Sequence, residues 1–167
     1  MRTILVALAA LLATPSLSLS QPAPSAWSRE AASAPPFAQG MTEDELLAWL
    51  TAQGVSAERR TDSGGTYMAA EHNGIAWEAQ LQACEAERCR VLEFSSGFRA
   101  QQPSAERANE WNRGHLFLKA VAVDGGLVAR HPVYLSGGLS RQALDEQLEL
   151  WLTFLPEFGA WAIPPAT

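Results

Sequence analysis

Residues 75–98 read IAWEAQLQACEAERCRVLEFSSGF, and this stretch decides the fold. Every second residue from Ile75 to Ala83 is apolar, and mostly polar residues stand between them. Alternation resumes after the second cysteine at Leu92, Phe94 and Phe98. A period of two is typical of a strand that buries one face, so the stretch predicts two antiparallel strands joined as a hairpin.

Cys84 and Cys89, the two cysteines of the chain, flank a predicted loop of four residues, Glu85–Arg88. Facing residues near the mouth of a hairpin come close enough for disulfide geometry. We therefore predict a disulfide between them. Closing so short a loop is worth about 2 kcal/mol, so the bond would reinforce the hairpin rather than create it.

Two other uses of these cysteines, redox chemistry and metal binding, fit the sequence less well. Redox pairs usually have two residues between the cysteines and a helix N-terminus beside them. A zinc site needs further ligands, but His72, His115 and His131 are scattered along the chain. We predict neither a metal nor another cofactor.

Helices are indicated on either side of this hairpin. Thr42–Glu45 has the residue types of a capping box ahead of an apolar stripe. Pro103–Gly114 has proline at its start and glycine at its end, as expected of a helix of about three turns. Ser140 begins a third pattern with helical spacing, which Pro156 ends or kinks.

The remaining segments complete one antiparallel sheet, in which a strand over Thr66–Glu71 precedes the cysteine hairpin and is joined to it by Asn73-Gly74. Asp124–Gly126 separates two further strands, and the first of them, Leu116–Val123, is apolar on both faces, which predicts a central position. Pro132 lacks a backbone N–H and places its part of the second strand at an edge or bulge. The predicted order α-β-β-β-α-β-β-α indicates an α+β fold with the helices on one face of the sheet.

Composition limits the classes of partner. The chain has 167 residues, 47% of them hydrophobic, and a formal net charge of −6, which fits a single globular domain. Lys119 is its only lysine, and no basic stripe is present to follow phosphates. We therefore expect no nucleic-acid partner.

The N-terminus has the pattern of an export signal. In residues 1–20, Arg2 precedes an apolar run of about ten residues and a small-residue end, whereas a membrane span needs about twenty. Residues 21–40 are rich in Pro, Ala and Ser and are predicted to form a flexible leader. The domain is predicted over residues 41–163, periplasmic or secreted, without membrane insertion after cleavage.

The sequence Asn109-Glu-Trp-Asn112, the strand that ends at Asp124-Gly125 and the Gly137-Gly-Leu-Ser140 entry to the last helix together resemble the YbjN-domain family. The likeness extends over about Met41–Ala162. The family name denotes a bacterial sensory-transduction regulator, and its fold resembles that of type III secretion chaperones. The resemblance implies an exported α+β interaction domain without established catalysis or cofactor.

The residues of this motif admit two interpretations. Trp111 is suited to anchor a short helix on the sheet, while Asn112 beside Gly114 could hydrogen-bond the carbonyls at the helix end. Alternatively, Asn109 or Asn112 could bind the backbone of a peptide ligand.

For function, we expect a non-enzymatic, chaperone-like or regulatory domain that binds a protein or peptide client, and a homodimer is plausible by analogy with secretion chaperones. One rival is a small hydrolase that uses His115 or His131 with a nearby carboxylate. Another is a small-molecule sensor lined by Trp77, Trp111 and Trp151.

Overall fold

The computed structural model describes residues 37–100, 102–137 and 139–163. The predicted signal peptide, and the leader as far as residue 36, lie outside these residues. In the described part of the chain there are three α-helices and six β-strands, and none of those helices is long and apolar enough to cross a membrane. In chain order the elements are α1 (Glu43–Ala52), β1 (Glu58–Asp62), β2 (Gly65–His72), β3 (Ile75–Glu85), β4 (Arg88–Arg99), α2 (Ala105–Gly114), β5 (Lys119–Val123), β6 (Gly126–Tyr134) and α3 (Arg141–Ala162).

The strands form one antiparallel sheet in the order β1-β2-β3-β4-β6-β5. Phe94 of β4 marks its covered face, because the rings of Trp49 from α1 and Trp151 from α3 lie 6.4 and 5.8 Å away. Helix α2 packs on the same side, because the rings of its Trp111 and of Phe158 in α3 make an edge contact with centroids 4.9 Å apart. The predicted α+β class, with helices on one face of the sheet, is confirmed.

Strand β1 is an addition to the predicted order. Its five residues, Glu58–Asp62, are all exposed and pair with β2 from Glu58↔Ala69 to Asp62↔Gly65. Because the sequence ERRTD carries no apolar alternation, a period-two pattern cannot reveal it. Its charges are typical of an edge strand that resists pairing with other chains.

The cysteine hairpin is tighter than predicted. Its strands continue to the pair Glu85↔Arg88, so the turn consists of Ala86 and Glu87 rather than four residues. Cys84 and Cys89 face each other with their α-carbons 3.8 Å apart and are joined by a disulfide. The bond therefore lies within the ladder, one residue pair inside the hairpin end.

The prediction of a central position for Leu116–Val123 is wrong, because β5 is the last strand of the sheet. Val121 and Val123, on its outward face, are exposed. Apolar residues on both faces of this strand therefore did not mean that both faces are buried. The prediction for Pro132 is confirmed. Strand β5 pairs with β6 only as far as Lys119↔Arg130, so Pro132 lies where β6 has β4 alone as a neighbour.

Helix α3 does not end at Pro156, which lies inside it. It continues to Ala162, and Phe158 is fully buried within it. Arg107 of α2 donates a hydrogen bond of 2.8 Å to the carbonyl of Trp161, near the end of α3. A cation at a helix C-terminus interacts favourably with the orphan carbonyls and the dipole, so Arg107 holds the two helices together.

Phe37 and Gly40, just ahead of the predicted boundary at residue 41, are buried in the structure. Phe37 is buried, although the sequence interpretation assigns it to the leader. Met41 exchanges two backbone hydrogen bonds of 2.9 and 3.0 Å with Cys89, and Arg88 donates one of 2.9 Å to the Gly40 carbonyl. Gly40 and Met41 are therefore held against the disulfide end of the hairpin.

Candidate functional site

Trp111 and Asn112 of the motif attach α2 to the edge strand β5. The indole N–H of Trp111 donates to the carbonyl of Leu118 at 3.0 Å. The Asn112 side chain accepts from the N–H of Ala120 at 2.8 Å and donates to its carbonyl at 3.0 Å. The amide of Asn112 thus pairs with β5 as a neighbouring strand would.

This pairing differs from the predicted role of Asn112 at the helix-end carbonyls. The oxygen and the nitrogen of its amide are each engaged by Ala120, which fixes the side chain against β5. Asn109 lies exposed on α2. The structure therefore places Trp111 and Asn112 in the helix–strand junction and leaves Asn109 at the surface, rather than joining the three in one site.

His131 is a structural residue of β6. It is buried, and its ring nitrogens lie 3.1 Å from the carbonyl of Phe117 and 2.9 Å from the side-chain oxygen of Gln147. Its ring also stacks on Phe94. These contacts join β6, the segment before β5 and α3, and they occupy both nitrogens.

His115 meets a carboxylate, as the hydrolase hypothesis requires. Its ring stacks on Trp111, Nδ1 lies 2.9 Å from the Trp111 carbonyl and Nε2 lies 3.3 Å from Glu157. The Trp111 carbonyl therefore orients the ring through Nδ1, and Nε2 faces Glu157.

Beside His115 lies an apolar hollow of about 200 Å³, which we define by Trp111, Gly114, His115, Leu116, Phe117, Leu118 and Phe154. Among these lining residues there is no hydroxyl or thiol to serve as a nucleophile. The His115–Glu157 pair is also open to solvent rather than sealed in a cavity. The arrangement can hold an apolar group.

The three tryptophans of the sensor hypothesis do not surround one cavity. Trp77 and Trp151 lie 6.1 Å apart and both pack on Phe94 in the core. Trp111 packs instead on Phe158 and borders the hollow. Within the described residues, no group of three His, Cys, Asp or Glu side chains is placed to hold a metal ion.

A larger feature lies on the uncovered face of the sheet: a groove of about 590 Å³ that crosses β1 to β4. Its floor consists of the small residues Ala69, Ala76, Ser95 and Gly97. The uncovered face of an antiparallel sheet usually carries polar side chains. Here the four small residues leave an open channel between longer side chains. We call this channel the sheet groove. Charged and aromatic side chains border it, namely Glu58, Arg60, Tyr67, Glu71 and Glu78.

The border of the sheet groove is net acidic. Arg60 donates a hydrogen bond of 2.8 Å to Glu58, and this bond raises the pKa of Arg60 above its ordinary value. Ser95 donates to Glu78 at 2.9 Å, and Glu71 is exposed. The border therefore carries one positively charged side chain, Arg60, and three carboxylates, Glu58, Glu71 and Glu78.

The sequence analysis missed this groove, although a signal was available. On paired strands, the outward residues of one row lie side by side, so Ala69, Glu78 and Ser95 are neighbours across β2, β3 and β4. Comparing the outward residues of neighbouring strands, instead of the inward residues along each strand, would have shown that small side chains recur on this face of β2, β3 and β4.

Comparison with known proteins places the chain in a family. The family model named YbjN, with the description "Putative bacterial sensory transduction regulator", matches residues 42–163. A search of curated proteins finds no significant match. Because the family match covers well over half of the chain, the protein belongs to the YbjN family.

Proposed function

We propose that this YbjN-family protein is a non-enzymatic regulatory domain of the cell envelope that binds an extended segment of a client protein in the sheet groove. The observation that carries the proposal is the channel itself, floored by small residues on a face that no helix of the described chain covers. A groove this open suits a polymer that passes across it better than a small molecule that must be enclosed.

The histidine contacts support binding over catalysis. Both nitrogens of the buried His131 already contact oxygen atoms of the protein. The hollow beside His115 has no nucleophile in its lining. The family description as a regulator points in the same direction.

The dimensions of the sheet groove indicate the length of the client segment. The groove crosses four strands, β1 to β4, and three strand spacings of about 4.8 Å amount to about 14 Å. An extended chain rises about 3.3 Å per residue, so about four residues would lie within the groove. The likeness to secretion chaperones supplies an analogy for binding an unfolded client segment, but it names no client.

The charges of the border favour a basic segment. Glu58, Glu71 and Glu78 outnumber Arg60, and the protein as a whole carries a net charge of −6. Opposite charges raise the association rate and the specificity of an interface more than its affinity. We therefore expect client binding to weaken as ionic strength rises from about 0.1 to 0.5 M.

The envelope location rests on two features. The first twenty residues have the order of a signal peptide, and the chain has a cysteine pair joined as a disulfide, which persists in oxidising compartments. Cell fractionation followed by intact-mass measurement tests this part. A processed, oxidised chain in the periplasm or medium is expected, and an unprocessed cytoplasmic chain with two thiols would contradict it.

The binding site is tested with a variant that fills the floor of the sheet groove. Ala76→Trp places a large side chain there, whereas Ala48→Trp places the same side chain on the exposed surface of α1. Both variants and the wild type would be used to capture partners from envelope extract. The expected result is a client retained by the wild type and by Ala48→Trp but lost by Ala76→Trp.

A client set that is identical for all three proteins would contradict binding in the sheet groove. Hydrolysis of a substrate panel by the wild type, lost in His115→Gln, would instead support the hydrolase hypothesis. Circular dichroism and urea unfolding of each variant check that the fold is retained.

A further inference from the structure

One row of side chains crosses every strand on the uncovered face of the sheet. The pairing register joins its members from β1 to β5, one from each strand, namely Glu58, Ala69, Glu78, Ser95, Arg130 and Lys119. We call these residues the cross-strand row. Its first four members line the sheet groove, and the last two lie beyond the groove on β6 and β5.

Arg130 and Lys119 are on the same face of the sheet as the groove. Side chains alternate between the two faces of a strand, and the sequence neighbours Ala129 and Ala120 are buried. Arg130 and Lys119 are themselves exposed. The surface of the sheet groove therefore continues onto β6 and β5.

The cross-strand row changes its charge along its length. Glu58 and Glu78 lie in its first half, where the groove border is net acidic. Ser95 is uncharged and lies between the halves. Arg130 and Lys119 form the second half, so the outer face is acidic toward β1 and basic toward β5.

The two cations of the second half keep donors for a partner. The nearest carboxylate to Arg130 is that of Glu93, at 3.7 Å, and Lys119 donates to the carbonyl of His115 at 3.2 Å. An arginine has five N–H donors and a lysine has three, so one contact each leaves most of them unused.

Valines lie beside the basic half of the row. Val121 pairs with Val128, and Val128 pairs with Gly97 of the groove lining. Val121 and Val123 are exposed. Because the uncovered face of an antiparallel sheet usually carries polar residues, these valines indicate a surface that contacts aliphatic side chains of another chain.

We propose that the client segment continues from the sheet groove over β6 and β5, with basic side chains at its β1 end, carboxylates at its β5 end and aliphatic residues between them. This proposal rests on the proposed function, because it extends the segment that lies in the groove. The opposite charges of the two halves set the direction in which the segment lies. Six strands have five spacings of about 4.8 Å, or about 24 Å, which about seven extended residues would cover.

Synthetic peptides of about ten residues test this charge order by fluorescence anisotropy, with the full chain as it is isolated from cells. The polarised peptide has two lysines at one end, two glutamates at the other and threonine and valine between them, and it is made in both chain directions. The mixed peptide has the same composition with lysine and glutamate alternating. The tighter-binding polarised peptide is expected to bind about five- to tenfold more tightly than the mixed one at low salt. A third peptide, with four lysines and no glutamate, reports on the sheet groove alone.

Charge reversal in the protein tests the basic half directly. Arg130→Glu and Lys119→Glu should each weaken binding of the polarised peptide about five- to tenfold, and neither should weaken binding of the lysine peptide. Arg113→Glu is the matched control, since Arg113 is exposed on α2 outside the row, and it should change either constant by less than about twofold.

The outcomes separate this proposal from the proposed function. If the lysine peptide binds but the polarised and mixed peptides bind equally, the charge order of the client is overturned while binding in the sheet groove stands. Equal effects of Arg130→Glu, Lys119→Glu and Arg113→Glu on the polarised peptide would overturn it as well. If none of the peptides binds, the result contradicts the sheet groove itself, and both proposals fail.

Discussion

Gly40 is the residue at which the start of the domain passes closest to the sheet. Its φ of +84° lies in the left-handed region, and a β-carbon there would come within 2.5 Å of the Cys89 carbonyl oxygen. The close approach allows Met41 to exchange both of its backbone hydrogen bonds with Cys89. Only glycine satisfies both the conformation and the contact.

Gly40→Ala should therefore lower the free energy of unfolding by about 2 to 5 kcal/mol, from backbone strain and the clash together. Gly54→Ala is its control, because Gly54 has a similar φ of +77° but no atom within 4 Å of a β-carbon. Strain alone should cost about 1 kcal/mol at that position. Equal losses for the two variants in urea unfolding would show that the contact with Cys89 does not matter.

The two asparagines of the family motif have separable roles. Asn112 makes two hydrogen bonds to the buried Ala120, whereas Asn109 is exposed. Asn112→Ala should lower the free energy of unfolding by about 1 to 3 kcal/mol, because it leaves an N–H and a carbonyl of β5 without their partner. Asn109→Ala should change it by less than about 0.5 kcal/mol.

Urea unfolding of both variants measures this difference. A larger loss for Asn109→Ala than for Asn112→Ala would contradict the junction between α2 and β5. The sequence identifies such residues only in part. Trp111 could be recognised as an anchor from its size, but the partner of Asn112 is a backbone eight residues away, and no local pattern reveals it.

At the scale of elements, the cysteine hairpin is held by its ladder as well as by its disulfide. The strands pair on both sides of Cys84↔Cys89, from Gln82↔Val91 to Glu85↔Arg88. Replacement of both cysteines by alanine should lower the free energy of unfolding by about 2 kcal/mol and preserve the circular dichroism spectrum. Loss of the folded state at 25 °C would show that the hairpin depends on the bond.

The turn of the same hairpin carries strain that glycine would relieve. Ala86 has a φ of +55°, in the left-handed region. Ala86→Gly should raise the free energy of unfolding by about 0.5 to 1 kcal/mol, because the relieved strain exceeds the added chain entropy. The same change in α1, Ala48→Gly, should lower it by about 1 kcal/mol. A loss in both variants would contradict the left-handed conformation of Ala86.

Element prediction succeeded where local chemistry is strong. The Thr42 capping box is present, with Glu45 Oε2 accepting from the Thr42 N–H at 2.9 Å, and Ser104 and Ser140 also cap helices. Prediction failed for β1 and for the position of β5, since both depend on which strands become neighbours. Pairing partners are set by the packing of the whole sheet and are not encoded in one segment.

At the scale of the whole molecule, one face of the sheet holds the fold together and the other remains available. Tryptophans from three helices and from β3 cover the inner face of the sheet. The outer face carries the sheet groove.

The central claim is that a client segment lies in the sheet groove, and site-specific photocrosslinking in living cells tests it most directly. A photoreactive amino acid would replace Ala76 on the groove floor or, as the control, the exposed Ala48 of α1. The account predicts a discrete crosslinked partner from residue 76 that is absent from residue 48. No crosslink from residue 76, or the same partner from both positions, would contradict it.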